Sequence, residues 1–187
     1  MTDHLFGLSA LERLPDLLWP GDEAGDEQVY ALLDGARDPA ILPWLERSGL
    51  ECSCLYSGEL IPRLKAAAPW LVRLPARAPA SLELLALGLG KAWGIFLVAP
   101  PELSMDGLRR HCKKFLRVRT EDKRVLMFRF YDPRVLSVFL PTCDAAQYRA
   151  LLGPMQRIIV ETQDDDDWRI FEQGEQALLV SGGRPDR

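Results

Sequence analysis

The stretch WGIFLVAP, from Trp93 to Pro100, is the most apolar strand candidate in this chain of 187 residues. The segment before it, SLELLALGLG, places Leu82, Leu85 and Leu89 at helical spacing, with Ser81 as a candidate cap. An apolar run of strand length that follows such a helix is typical of a strand covered on both faces. The stretch therefore predicts a core strand of a sheet against which helices pack.

Strand-like and helix-like segments alternate on both sides of this stretch. Further strand candidates are short apolar runs bounded by turn-forming or charged residues, at 29–36, 50–58, 70–76, 155–163 and 168–174. Helix candidates begin at residue types that commonly start or cap helices, which are Pro39, Ser104, Asp132-Pro133 and Asp144. Residues 118–130 predict a hairpin with its turn at 121–123 and its second strand over 125–130.

This alternation predicts an α/β fold, a mixed β-sheet flanked by helices with a short hairpin-like C-terminal extension. We expect an acidic N-terminal extension over 1–28 and an α/β domain over 29–161. A short acidic C-terminal extension with a frayed tail is expected over 162–187.

The composition is that of a folded soluble protein, with 48% hydrophobic and 27% charged residues. No apolar run approaches the ~20 residues that span a bilayer, and the N-terminal segment carries acids where a signal peptide has basic residues. We therefore expect a cytoplasmic protein whose four cysteines are reduced.

The positive charge is concentrated in one block. Between Gly107 and Arg134 the chain has ten Lys or Arg and three acidic residues, although the whole chain has a net charge of −4. Residues 105–117 predict a basic amphipathic helix, and the hairpin after it is also basic. Such a block can steer a partner of opposite charge or pair within the monomer. The candidate partner-binding residues are Arg109, Arg110, Lys113, Lys114, Arg117, Arg119, Lys123 and Arg124.

The chain has few residues suited to catalysis, and we predict that it is not an enzyme. Of its two histidines, His111 lies on the basic helix, and Cys112 beside it points about 100° away around the helix axis. Cys52 and Cys54 share one strand face and are predicted to be small core residues rather than metal ligands. We expect no catalytic residues, cofactor or metal; an enzyme that uses His111 with Cys112 or Asp132 is the less favoured alternative.

Nucleic-acid binding by helix 105–117 is the main alternative function, because arginines and aromatic residues are interleaved there and in the following hairpin. Strand alternation opposes this interpretation. It places Leu126, Phe128 and Phe130 on one face, where they are expected to be core residues rather than a stacking platform.

The segment FRFYDPRVL, Phe128–Leu136, carries a family resemblance. Together with YALLDGARDP, APWLVRLP, WGIFLVAP, LRRHCKKFLRV and LLGPMQRIIVE, in that order, it resembles the family called domain of unknown function 4123. The resemblance covers about residues 29–161. Its members are type VI secretion adaptors, also called effector chaperones. The motif residues carried over are Asp34, His111, Arg129, Asp132, Pro133 and Arg134, with roles expected to be structural.

The resemblance implies the partners. It indicates a non-catalytic protein that binds the N-terminal region of a secreted effector and helps to place it on the spike protein VgrG. Many members carry a longer helical C-terminal lobe, whereas residues 162–187 are short, which raises a helper chaperone as a further partner. Neither a membrane nor a nucleic acid is an expected partner.

Overall fold

The computed structural model describes residues 12–20, 27–119, 122–162, 168–173 and 175–180. The strands in this part are β1 Gln28–Asp34, β2 Cys52–Cys54, β3 Pro69–Arg73, β4 Gly94–Ala99, β5 Arg117–Arg119, β6 Val125–Met127, β7 Arg157–Glu161, β8 Trp168–Glu172 and β9 Glu175–Val180. The helices are α1 12–18, α2 Ile41–Ser48, α3 Pro62–Ala66, α4 Pro79–Gly88, α5 Met105–Lys113, α6 Pro133–Phe139 and α7 Ala145–Leu152, with a 3₁₀ turn at Leu140–Thr142. The predicted α/β class is confirmed.

Seven of the strands form one sheet, in the order β2-β3-β1-β4-β7-β8-β9, and β5 pairs only with β6. Each pairing between the described strands is antiparallel. The predicted core strand is β4, which lies between β1 and β7, with Leu97 opposite Tyr30 on one side and Ile158 on the other. β4 is an inner strand of the sheet, and most of its apolar side chains are buried.

Helices cover both faces of the sheet, and the sheet separates the core into two halves. Tyr30 and Leu32 of β1 point to one face, where they join buried residues of α5, α6 and α7. Ala31 and Leu33 point to the other, where they join Trp44 of α2 and buried leucines of α1 and α4. The period of two along a strand explains the division, because neighbouring side chains face opposite ways.

Several predicted helix starts are confirmed. The Ser104 hydroxyl accepts a hydrogen bond from the Gly107 N–H at the start of α5, and Asp144 caps α7 in a capping box with Gln147. The predicted cap at Ser81 is wrong. Pro79 already occupies the first turn of α4, so the Ser81 hydroxyl donates to the Pro75 carbonyl oxygen at 2.8 Å instead.

The predicted second hairpin strand over 125–130 is too long. β6 ends at Met127, and the Phe128 N–H donates to the Leu116 carbonyl oxygen at 3.0 Å as the chain turns into the core. Phe130 is 1% exposed as expected, whereas Leu126, predicted to share its buried face, is 48% exposed. The reason is that β5 and β6 form a separate two-stranded ribbon outside the main sheet.

The C-terminal strands extend the main sheet. β8 pairs with β7, and its Trp168 and Phe171 side chains lie in the two halves of the core. β9, which no strand candidate covered, pairs with β8, so the predicted hairpin-like C-terminal extension is part of the main sheet. The acidic run 164–167, the tail 181–187 and His4 lie outside the described residues. The boundaries at 28 and 161 remain predictions.

Replacing Gly94 with alanine should destabilise the fold. A Cβ atom there would lie 2.2 Å from the Leu32 carbonyl oxygen on the neighbouring strand, where only backbone could move away. We expect a loss of about 3 kcal/mol in the free energy of unfolding, measured by urea denaturation.

The matched control is Gly88→Ala at the end of α4, where the new Cβ would be at ordinary contact distance, 3.5 Å or more from Trp93. It should change stability by less than about 1 kcal/mol. Equal effects of the two substitutions would contradict the close β1–β4 approach.

Candidate partner-binding surface

Helix α5 is attached to the core along one stripe and presents cations elsewhere. Leu108 and Cys112 are completely buried, and Leu116 just beyond the helix is 7% exposed. Arg110 and Lys114 lie on the exposed side. The predicted amphipathic pattern of 105–117 is therefore confirmed, although helical structure ends at Lys113.

The eight candidate cations do not share one role. Arg109 points inward, where its Nε donates to the Cys54 carbonyl oxygen at 2.6 Å and a terminal nitrogen donates to the Tyr56 carbonyl oxygen at 3.3 Å. Arg110 is paired with Asp106 and Arg124 with Asp122. Arg109 is thus a structural residue that ties α5 to the β2–α3 connection.

The remaining five cations have no ion pair with an acidic side chain in the described ranges. Lys113 donates to the Ser57 hydroxyl. The other members have no ion-pair partner within the described ranges and are exposed; they are Lys114, Arg117, Arg119 and Lys123. These four positive charges have no counter-ion among the described residues, so positive charge is concentrated at this end of α5 and on the hairpin.

Apolar side chains lie among these cations, and sequence reasoning missed them. On β6, Val125, Leu126 and Met127 are 56, 48 and 50% exposed, and Val118 on β5 is 38% exposed. The flanking charges could have indicated an exposed ribbon, because a strand of three residues between charged segments has little core to join. The surface is consequently both basic and apolar, as protein-binding surfaces often are.

Two buried carboxylates organise the motif segment. Asp34, at the end of β1, is 1% exposed and accepts a hydrogen bond from Arg129, which also lies 3.9 Å from Asp132. Asp132, 3% exposed, accepts two hydrogen bonds from the Arg134 guanidinium, at 2.9 and 2.6 Å. These four motif residues thus meet in one cluster, and Pro133 occupies the first turn of α6 beside it.

Asp132 also caps α6, since its carboxylate accepts from the Arg134 N–H at 3.0 Å. Burial alone would raise the pKa of Asp132, but the hydrogen bonds and charges of Arg134, with Arg129, hold it below its ordinary value. The carboxylate is therefore charged and already engaged.

His111, the sixth motif residue, lies elsewhere and joins α5 to α7. Its Nε2 is 2.8 Å from the Leu151 carbonyl oxygen, so Nε2 carries the hydrogen and donates. The ring also contacts Phe115, and a Cβ at Gly153 would lie 2.1 Å from it. Burial lowers the pKa of His111, opposed by the bond to Leu151.

The residues of the enzyme alternative have separate partners. His111 is bonded to Leu151 and Asp132 to Arg134, while burial raises the pKa of the Cys112 thiol to about 12, which keeps it protonated. Cys52 is exposed, contrary to its predicted core position, because β2 is the edge strand of the sheet. No cluster of three potential metal ligands occurs among the described residues.

Comparison with known families assigns most of the chain to one family. The model of the family described as "Domain of unknown function (DUF4123)" matches residues 29–150, which include the whole basic surface and the six motif residues. The chain belongs to the DUF4123 family.

The DUF4123 family is associated with type VI secretion effector adaptors. Comparison with curated proteins gives no match, and neither does comparison with solved structures. No helix in the described ranges of this DUF4123 chain is long and apolar enough to cross a membrane.

Replacing Arg129 with methionine should destabilise the protein, because Asp34 would lose its cation while staying buried. The Arg129 side chain is 43% exposed, so the ion pair is only partly buried. We therefore expect a loss of about 2 kcal/mol in the free energy of unfolding, less than the loss of a fully buried pair would cause. Arg124→Met, which removes an exposed arginine from the same region, should cost less than about 1 kcal/mol.

Thermal and urea unfolding would measure both variants. The double variant Asp34→Asn with Arg129→Met should lose less stability than the two single losses added, because no buried charge is left unpaired. Strict additivity would contradict an energetic coupling between β1 and the motif segment.

His111 should make stability depend on pH. Its folded-state pKa lies below the ordinary value of about 6.5, so below that pH the unfolded chain takes up a proton more readily than the folded one. Stability should therefore fall as the pH drops from 7.5 towards the folded pKa. In His111→Gln, whose amide can still donate to Leu151, that part of the pH dependence should disappear.

The test compares melting temperatures of the two proteins at pH 7.5 and 5.5. His4 is present in both and cancels. The pKa of Asp132 is lowered, so its contribution to stability is lost only as the pH falls through the carboxyl range. That range lies below pH 5.5, outside the interval of this test. Identical pH slopes would refute the role assigned to His111.

Proposed function

We propose that this protein is a cytoplasmic type VI secretion adaptor, which binds the N-terminal region of a secreted effector and promotes its loading onto the VgrG spike without catalysing a reaction. The observation that carries the proposal is the family match over residues 29–150, which contains the complete basic surface. On that surface, Lys114, Arg117, Arg119 and Lys123 have no counter-ion among the described residues.

Electrostatic recognition suits a carrier that must also release its cargo. Exposed charges raise the rate of encounter and the preference for one partner more than they raise affinity, so a complex held in this way can be transferred. The basic surface would contact an acidic patch of the effector or of VgrG. A helper chaperone remains a further proposed partner.

The nucleic-acid alternative receives less support. Phe130 and Tyr131 are 1 and 2% exposed and Phe128 packs against the core, so these rings are not available to stack on bases. The whole chain is also acidic, with a net charge of −4.

Charge reversal on the basic surface should disrupt adaptor function. We expect Lys114→Glu, Arg117→Glu and Arg119→Glu, combined in one protein, to reduce co-purification of the neighbouring effector or VgrG at least about tenfold at low salt. The control triple Arg47→Glu, Arg77→Glu and Arg149→Glu changes the charge equally outside this surface and should have little effect.

The readout is the amount of effector and VgrG retained on the tagged protein at several salt concentrations. Retention of neither partner by the unaltered protein would refute the adaptor proposal. Equal loss in both triples would refute the basic-surface assignment. Anisotropy titration with DNA and RNA is the companion test, and salt-sensitive binding there would favour the nucleic-acid alternative.

A further inference from the structure

A groove lies beside the basic surface, between the β2–α3 connection, the end of α5 and the hairpin. It has a volume of about 650 Å³. Its lining is mostly apolar, with Leu55, Leu64, Leu116 and Met127, and it includes two cations, Lys113 and Arg117. Its size falls within the range of protein pockets that enclose ligand groups.

The walls of the groove expose apolar surface. Leu64 on α3 and Met127 on β6, which both line the groove, are 45 and 50% exposed. Side chains of this size are usually buried, so a cluster of them around one depression marks an interaction site. Methionine is well suited to such a wall because its flexible side chain adapts to different partners.

The floor is held in place by the residues that attach α5. Arg109 donates to the carbonyl oxygens of Cys54 and Tyr56, and Leu55 and Leu116 beneath the groove are 0 and 7% exposed. Because these groups are fixed by the core, the depression is preformed, and a partner does not have to create it.

We propose that this groove binds an amphipathic helix of the effector, with apolar side chains at positions i, i+3, i+4 and i+7 and carboxylates along its edges. The apolar face of the helix packs against the apolar lining of the groove. Its carboxylates pair with Lys113 and Arg117 in the groove and with Lys114 and Arg119 nearby. The inference rests on the adaptor function and specifies what part of the effector is bound.

A helix fits better than an added strand. The free edges of β5 and β6 are three residues long, so an extended segment would gain few backbone hydrogen bonds. The groove instead offers side-chain contacts from the β2–α3 connection, α3, the end of α5 and the hairpin. A second copy of this chain is the competing occupant.

The first test replaces exposed groove residues with charge. Leu64→Asp and Met127→Asp, singly and together, should reduce effector retention at least about tenfold, because a carboxylate enters an apolar contact and repels an acidic helix. Both side chains are exposed, so melting temperatures should be unchanged. Val138→Asp alters a 69% exposed valine on α6 that does not line the groove, and it should retain the effector normally.

The outcomes separate this inference from the adaptor proposal. If the unaltered protein retains neither effector nor VgrG, the adaptor proposal itself fails. If the effector is retained equally by the unaltered protein and the double groove variant, the groove inference fails while the adaptor proposal survives. A concentration-dependent dimer that becomes monomeric in Leu64→Asp would identify a second copy as the occupant and overturn the inference.

The second test identifies the bound segment. Overlapping 20-residue peptides that cover the effector would be titrated against the full protein by fluorescence anisotropy. We expect the tightest peptide to be net acidic, to have the i, i+3, i+4, i+7 apolar pattern, and to lose affinity when its carboxylates are changed to amides. Selection of a basic peptide, or of one without helical periodicity, would overturn the proposal.

Discussion

A carboxylate buried without a partner costs so much that either the charge is lost or a cation must reach it, and Asp34 and Asp132 impose this requirement on the fold. Asp34 stands at the end of a central strand and binds Arg129, which comes just after the hairpin. Asp132 binds Arg134 and begins α6. Because Arg129 also lies near Asp132, the two carboxylates connect the sheet, the hairpin exit and the next helix at one point. The FRFYDPRVL segment is therefore a structural joint.

The second joint is His111, which connects the basic helix to α7 through the Leu151 carbonyl oxygen. With Arg109 holding the other side of the helix to the β2–α3 connection, α5 is fixed at two places. Its free cations and the adjoining groove are thereby presented by a rigid support. The motif residues thus hold the joint and α5 in place, whereas the cations proposed to contact a partner, Lys114, Arg117, Arg119 and Lys123, are exposed.

Patterns that depend on neighbouring residues could be predicted well. The apolar run that became β4, the caps at Ser104 and Asp144 and the Asp132-Pro133 helix start all rest on local geometry, and the structure contains each of them. The errors arise where residues distant in sequence decide whether a side chain is buried. Leu126 alternates like a core residue but is exposed, because its strand belongs to the separate β5–β6 ribbon rather than to the main sheet. Cys52 is exposed because β2 lies at the edge of the sheet.

The amino-acid sequence by itself determined the α/β class, the elements that carry the core and the segregation of charge, since periodicity, capping and composition are properties of the chain. Only the tertiary structure decided which cations have partners within the protein. Arg109 and Arg129 resemble the other arginines in the sequence, but folding brings the first to backbone carbonyls and the second to Asp34, 95 positions away. It also brought Leu64 and Met127 to one groove. Contacts between distant segments depend on how the sheet and helices pack, and no local pattern encodes them.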